Sequence, residues 1–590
     1  MQAYSSLKDQ YTQQLISIKK TYTMISMLRL TLVCIAILCF YFYITTQAFS
    51  VLFIGLSSLM IFIFVLTWHK RKSTEMLLKQ TLININTTEI DFLQNKNLSF
   101  EDGSEYNDIS HPYTFDLDIY GKNSLFQHLN RTATHIGKTY LANSLQSVLP
   151  NTMIANKQAA IQELSDKLVW RQEILAHAQI ANDTKTVYTK LLDWSLGPKS
   201  KVSLALQIFS IASPIGLYIL LITSLFAESG IYLNIAEGLF LVNLIVIGTQ
   251  LKTIKHELVQ ADKIESIILQ YSLILEKIES EQFQSPYLQD LKEKLIFSNT
   301  NASTQLNSLS KHFARVQTVQ NAVGSLLMNG FFLYHIHSLH GLLKWKAEYA
   351  HKLAKWTTVV GEIEMLNSYA NLSYNNPGFI YPELNSEYTI QLTDAGHPLI
   401  DAAKRVNNNV TFKEGSFIIL TGSNMSGKST FLRTLGVNMV LAGAGAPICA
   451  SSATIHPLPV IVSMRLSDSL SDNESYFFAE VKRLKQLMRT LDDQICFILL
   501  DEILRGTNSD DKRSGTIEVI KKIIAKQGIG IIATHDLEVC NTTAEYPGQL
   551  SNKCFEVEIV EDELVFDYKL REDICKNKSA TFLMKKMGVI

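Results

Sequence analysis

Phe417-Ile418-Ile419-Leu420-Thr421-Gly422-Ser423-Asn424-Met425-Ser426-Gly427-Lys428-Ser429-Thr430 decides how the carboxy-terminal third of this chain folds. Phe417 to Leu420 read as a short buried strand, and Gly422 to Ser429 fit G-x4-G-K-[ST], a phosphate loop in its strand-loop-helix setting. Glycines let the backbone curl so that successive N–H groups face phosphate oxygens, and the next helix adds its positive end. The pattern assigns Gly422, Ser423, Asn424, Met425, Ser426, Gly427, Lys428, Ser429 and Thr430 to nucleotide contact. Lys428 would reach the β and γ phosphates and Ser429 would ligate Mg²⁺.

Downstream, Cys496-Phe497-Ile498-Leu499-Leu500 is an apolar strand ending in Asp501-Glu502. An acidic pair at the carboxyl end of a core strand is where Mg²⁺ and an attacking water are held, so Asp501 is expected at the metal and Glu502 at the water as general base. A third strand, Gly530-Ile531-Ile532-Ala533, delivers Thr534 and His535 to the same edge, where an imidazole can sense the γ-phosphate. The fold expected here is an α/β P-loop NTPase domain.

These motifs together resemble those of the MutS mismatch-repair family. The segment Thr421 to Thr430, with its Asn424-Met425 pair, is similar to that family's phosphate loop. Asp501-Glu502-Ile503-Leu504-Arg505-Gly506-Thr507 resembles its acidic strand end, and Ala533-Thr534-His535 its histidine switch. Gly396-His397-Pro398-Leu399 and Val406-Asn407-Asn408-Asn409 stand in the places of two further motifs leading into the nucleotide pocket, with Asn408 as a contact. More weakly, Asp116 to Leu164 looks like the start of the family's core, and Val360 to Leu384 like the end of its lever helices. The resemblance implies ATP with Mg²⁺, a homodimer that sandwiches two nucleotides, and mismatch-repair-type DNA binding.

Two departures bear on those implications. In Ser467 to Glu480, Ser475 takes the place of the serine that reaches the partner's nucleotide, but Asn473-Glu474 replace the usual glycine and its neighbour, and a carboxylate near a γ-phosphate is repulsive unless Mg²⁺ or Lys intervenes. No mismatch-reading or connector segment is expected before the core, and Lys585-Lys586-Met587-Gly588 stand early in the terminal dimerisation motif, which implies an abbreviated interface.

Away from these motifs the sequence is apolar in four places. Leu30 to Tyr43 and Val51 to Trp68 form one pair, and Leu204 to Phe226 and Ile231 to Gly248 another. With their flanks these approach the roughly 20 residues that cross a bilayer. Lys19, Lys20 and Arg29 precede the first pair and His69, Lys70, Arg71 and Lys72 follow it; Lys199, Lys201, Lys252 and Lys255 flank the second. Neither connecting turn carries Lys or Arg, so two hairpins with cytoplasmic ends are expected, both termini and the ATPase domain lying inside. Buried helices of a soluble protein are the other reading, most readily for the fourth segment with Asn234 and Glu237. Leu326 to Leu343, interrupted by Asn329, His335, His337 and His340, reads as a buried or interfacial helix. A His-x-His pair does not share a helical face, so a metal site there is not expected.

These features divide the chain into 1–26, an amino-terminal cytoplasmic segment; 27–69, hairpin one; 73–198, a core-like helical region; 202–250, hairpin two; 251–385, lever and core helices; and 386–590, the ATPase domain. Lys plus Arg at 54 against Asp plus Glu at 55 excludes a global positive field, so any DNA contact must be local. Seven cysteines without a C-x-x-C pair fit a reducing compartment. The leading expectation is a membrane-anchored ATPase bound to ATP, a second copy and the lipid bilayer, with DNA as the partner the resemblance implies. The competing one is an ATP-driven transporter or signalling ATPase of the ATP-binding-cassette class, against which stand the lack of a Leu-Ser-Gly-Gly-Gln signature and a membrane part of about four helices.

Overall fold

The computed structural model describes residues 1–96, 98–198, 201–227, 230–259, 264–317, 322–465, 476–560 and 563–575. α1 (Gln2–Thr46) and α2 (Phe49–Leu93) are packed antiparallel, 45 residues each, and turn at Gln47, whose φ is 51°. At about 1.5 Å per residue each is near 68 Å long, twice the roughly 30 Å of a hydrocarbon core. The boundaries expected at 26–27 and 69–73 therefore fall inside continuous helices. Hydropathy stops at Lys19, Lys20 and Arg29, but the buried seam Tyr4, Tyr11, Leu15, Ile18, Ile25, Leu32 carries helix packing straight through those charges.

α3 (Leu125–Leu129), α4 (His135–Ser144), α5 (Asn151–Ser165), α6 (Leu168–Ala181) and α7 (Lys185–Leu196) begin a helical body. Thr134 and Thr184 cap α4 and α7, their hydroxyls accepting from the N–H groups of Gly137 and Val187. The near halves of α1 and α2 dock on it through Tyr11, Leu82, Ile85 and Ala176. A second long antiparallel pair comes next, α8 (Leu204–Phe226) and α9 (Ile231–Val259), then α10 (Ile264–Ser280), α11 (Pro286–Glu293), the two-residue strands β1 (Ile296–Phe297) and β2 (Thr300–Asn301), α12 (Ala302–Gln317), α13 (Ala322–Phe332) and α14 (Tyr334–Asn375). Among the described residues four helices, α1, α2, α8 and α9, are long and apolar enough to cross a membrane.

α14 is the spine of the body, packing on α4, α5, α7 and α12 and burying Trp356, Ile363, Leu366 and Tyr369. The single helix expected over Leu326 to Leu343 is two: the chain breaks at Leu333, φ 48°, where the Asn329 carboxamide accepts from the N–H of His335. The apolar run hid that break, where the Asn329 side chain takes up an N–H at the start of the new helix.

The remaining elements are β3 (Glu383–Leu384), β4 (Ile390–Ala395), β5 (Asn408–Phe412), β6 (Phe417–Gly422), α15 (Lys428–Gly443), β7 (Ser452–Ile455), β8 (Val460–Ser463), α16 (Tyr476–Asp493), β9 (Phe497–Asp501), α17 (Ser509–Ala525), β10 (Ile529–Ala533), β11 (Leu550–Val560) and β12 (Glu563–Glu572). They build a six-stranded sheet of order β12-β11-β6-β10-β9-β8, parallel except for edge strand β12, beside a four-stranded sheet β3-β7-β4-β5. β6, β8, β9 and β10 are buried along their whole length, as strands of a parallel sheet covered on both faces are. The α/β class expected for this part holds. It is fastened to the helical body by the fully buried Asp116, whose carboxylate accepts from the N–H groups of Met464 (2.9 Å) and Arg465 (2.8 Å) and pairs with Arg483.

Candidate nucleotide site

Pairing fixes the geometry of the site before any side chain is considered. β10 lies between β6 and β9, with Ala533 opposite both Leu420 and Asp501. Residues 422–427, 501–502 and 534–535 therefore leave the sheet at one carboxyl edge, where ligands of open parallel sheets bind.

In the loop, a Cβ at Gly422 would lie 2.7 Å from the Ser426 hydroxyl and 2.8 Å from the Phe555 carbonyl, so only glycine allows that approach. Gly427 has φ 100° and faces the Tyr568 ring, again a glycine position. α15 starts directly after it. Asn424 and Met425 lie at the exposed tip. Lys428 is buried, its ammonium donating to the carbonyls of Gly422 (2.8 Å) and Ser423 (2.9 Å). Burial pulls this ammonium below the ordinary lysine value, while the Glu502 and Asp501 carboxylates oppose that shift. The buried hydroxyl oxygens of Ser423 and Ser426 have no hydrogen-bond partner among the described residues. Ser429 and Thr430 open the helix, exposed, and the Ser429 hydroxyl donates to Asp501 at 2.5 Å.

Glu502 sits at φ 50°, its N–H donating to the Ala533 carbonyl at 2.9 Å. His535 Nε2 lies 2.6 Å from its carboxylate, and Arg505 Nε 3.5 Å from the other oxygen. The His535 hydrogen bond first, then the charges of His535 and Arg505, hold the Glu502 carboxyl down at about 2 against the effect of burial. His535 is thus placed on Glu502, and it does not line the cleft.

The cleft itself has a volume of about 420 Å³ between the phosphate loop, the segment 395–408 and the last two strands. Asn408 lines it, but its carboxamide is committed to backbone, donating to the Tyr568 carbonyl (3.0 Å) and accepting from the Leu570 N–H (2.8 Å). It fixes β12 against β5. Ser475 lies outside the described residues. Among the cleft residues that carried no role in the sequence reading are His397, Arg405, Phe555 and Tyr568. Gly396-His397-Pro398-Leu399 was a visible signal for the first, whose imidazole is pushed down to about 4 by burial and then by the Arg433 charge. Phe555 and Tyr568 lie beyond the third strand in a stretch without any motif, and pairing alone brings them back.

A central parallel sheet whose carboxyl edge carries a phosphate loop and an acidic strand end defines a P-loop ATPase-type domain. The family model for MutS domain V matches residues 418–588. Similar proteins include MutS protein homolog 4 of Homo sapiens, 29% identical over 243 residues, 39% of this chain and 25% of that protein. DNA mismatch repair protein MutS of Aquifex pyrophilus is 30% identical over 244 residues, 40% of this chain and 28% of its own. DNA mismatch repair protein MutS of Lachnoclostridium phytofermentans is 24% identical over 497 residues, 76% of this chain and 52% of its own. Residues 418–588 thus match MutS domain V, and the chain is similar to MutS proteins. Its matched part spans from about a quarter to about half the length of these relatives.

Proposed function

We propose that this protein is a membrane-anchored ATPase of MutS type that hydrolyses ATP with Mg²⁺ as a homodimer, its ATPase domain and both termini on the cytoplasmic face. The observation that carries the ATPase reading is the convergence of Lys428, Ser429, Asp501 and Glu502 at one sheet edge, with Ser429 and Asp501 in contact. The residues fit the groups the reading requires. Two unpartnered buried hydroxyls and a lysine folded on loop carbonyls suit a polyphosphate, and a hydroxyl beside a carboxylate is an oxygen donor pair suited to Mg²⁺.

In this reading the N–H groups of 422–427 and the start of α15 bind the phosphates, and Lys428 turns from the loop carbonyls to the β and γ oxygens. Ser429 and Asp501 would hold Mg²⁺, which would supply neutralisation of charge on the phosphates. Glu502, ionised at every working pH, accepts a hydrogen bond from the attacking water and orients it. His535 fixes that carboxylate's direction, and Arg505 ties the strand end together by donating to the carbonyls of Glu502 (3.0 Å) and Asp501 (3.3 Å).

Membrane anchoring is supported by an inverted distribution of side chains. Leu30, Ile37, Phe53, Met60 and Phe64 on α1 and α2, and Ile208, Ile219 and Ile245 on α8 and α9, are exposed, while Ser58, Ser213 and Asn243 are buried between helices. The basic flanks orient the ends inward. Only the far halves of α1 and α2 then lie in lipid, the near halves forming a stalk to the helical body. Two relatives are named DNA mismatch repair proteins, which makes duplex DNA the partner to test.

The test is ATP turnover of detergent-purified protein with no DNA and with matched, mismatched and branched duplexes, alongside sedimentation of Glu502→Gln with ATP and Mg²⁺. Turnover, faster with one of the duplexes, and a nucleotide-trapped dimer are expected. No turnover removes the ATPase reading, equal rates with every duplex remove DNA as partner, and a monomer removes the sandwich.

A further inference from the structure

α13, the break at Leu333 and the start of α14 form a helix-turn-helix that neither the four apolar segments nor the ATPase account for. Residues 322–343 contain no Asp, Glu, Lys or Arg. Yet α13 is too short to cross: its 11 residues span about 16 Å at 1.5 Å per residue, half a hydrocarbon core.

Its contacts set its depth against α8 and α9. Phe331 stacks on Tyr218 (6.4 Å between ring centres) and meets Phe240 edge-on (5.0 Å), and Phe332 meets Tyr218 at 5.8 Å. A Cβ at Gly330 would overlap the Phe240 ring. The Asn243 amide donates to the Gly330 carbonyl (2.8 Å) while its oxygen accepts from Ser213 (2.6 Å). Ser213 and Tyr218 flank the middle of Leu204–Phe226, and Phe240 and Asn243 flank the middle of Ile231–Ile254. From Leu333 the chain returns: Leu339 and Leu343 of α14 pack with Val202 and Ile254, at the ends of α8 and α9 nearest the helical body.

The polar groups of the turn are satisfied inside the protein, as a membrane interior demands. Leu333 is fully buried. The Asn329 carboxamide accepts from the His335 N–H (3.0 Å) and donates to the Ser325 carbonyl (2.8 Å). Pro214 inside α8 has no N–H for the Ser210 carbonyl one turn earlier, and His337 Nε2 sits 3.0 Å from that oxygen, donating to it. Meanwhile Leu326, Leu327, Met328 and Phe332 are between 44% and 49% exposed, an apolar outer face around a polar interior.

We infer that α13, Leu333 and the first turns of α14 are a re-entrant membrane element, entering from the ATPase side, turning at the depth of the bilayer middle and leaving on the same side. The inference rests on the reading that α8 and α9 cross the membrane. α14 then runs 42 residues, about 63 Å, from that turn to Asn375, which lines a second cavity together with Pro398 and Arg405 of the segment flanking the nucleotide cleft. One continuous helix therefore joins a bilayer-depth turn to the cavity beside the nucleotide cleft.

The experiment places single cysteines at Ile219, Met328 and Phe332 of the full-length protein in sealed membranes. A membrane-impermeant maleimide is applied to each face, and labelling is read peptide by peptide so that native cysteines do not interfere. Loss of labelling at all three positions from both faces, with recovery after unfolding in detergent, is expected. Labelling of Met328→Cys and Phe332→Cys from the ATPase face, with Ile219→Cys protected, would put α13 on the membrane surface and overturn the inference alone. Labelling of Phe332→Cys from the opposite face would mean a full crossing and overturn it as well. Labelling of Ile219→Cys would remove the underlying membrane reading, and the inference with it. As a second measurement, a fluorophore on Met328→Cys should be quenched more by lipids carrying a nitroxide deep in the acyl chain than near the headgroup; the reverse order contradicts the assigned depth.

Discussion

Separating Glu89 from Arg131 should detach the stalk from the body. The pair is buried, with side chains 5% and 4% exposed, where α2 ends against residues 128–131 and the last turn of α14. Glu89 accepts from Arg131 Nε and Nη2, and from the carboxamides of Asn371 (3.2 Å) and Asn375 (3.4 Å). Arg131 also donates to the carbonyls of His128 and Asn130 and lies 3.5 Å over the Phe100 ring. Tyr4 of α1 closes the network by donating to Asn375 at 2.8 Å. Glu89→Gln leaves a guanidinium buried without a counter-charge, and Arg131→Met leaves a carboxylate with two amides, each at a cost of about 3 kcal/mol or more. At about 2–4 °C per kcal/mol for a cooperative unit of domain size, each single variant should melt on the order of 10 °C lower. The double variant buries neither charge, so it should recover about 2–3 kcal/mol of the summed loss. Thermal unfolding of the four proteins in one detergent measures this cycle. Single variants within about 1 °C of the parent, or strict additivity in the double, would refute the role given to the pair.

Lys428→Ala should abolish nucleotide binding, while Glu502→Gln should bind normally and turn over on the order of 10²-fold more slowly, which equilibrium binding and single-turnover rates resolve. Because Glu502 is held down at about 2, its ionised form is complete above its ordinary value of 4.5 and its stabilising contribution disappears only as pH falls through 2. His535→Gln should therefore raise the acid limb of turnover toward pH 4.5; an unshifted limb would show that the His535 contact does not control the carboxylate. Glu364, fully buried under Ala133 and Thr134, is pushed up to about 6 by desolvation, so the native state holds its proton the more tightly and stability from this group rises as pH falls from 7 through 6 toward 4.5. Glu364→Gln should flatten that rise in melting temperature, and an equal slope in variant and parent would contradict it.

How much the sequence revealed depended on how locally each feature is encoded. Gly422 to Thr430, Asp501-Glu502 and Thr534-His535 are contiguous motifs at the ends of short, wholly apolar strands, and their shared edge follows from parallel pairing. Tyr568, by contrast, reaches the cleft only because β12 folds back on β11 and Asn408 holds its backbone. The His535 contact with Glu502 joins residues 33 positions apart. Helix ends were obscured for two different reasons. Charged flanks of α1 and α2 read as segment boundaries because hydropathy does not see the seam from Tyr4 to Ile25, and the Leu333 break read as continuous because its cause is one asparagine side chain. Arg131 lies in the core-like segment Asp116 to Leu164, but nothing local pairs it with Glu89, which belongs to no motif and is remote in sequence.

ATP hydrolysis by the 417–535 site is proposed to belong to an integral membrane protein. The most direct measurement is ATP turnover in membranes washed with alkaline carbonate, comparing the parent chain with Lys428→Ala at equal protein. Mg²⁺-dependent turnover that stays with the washed membranes and falls to background in the variant is expected. Turnover that leaves with the carbonate supernatant, or that persists in Lys428→Ala, would contradict that proposal.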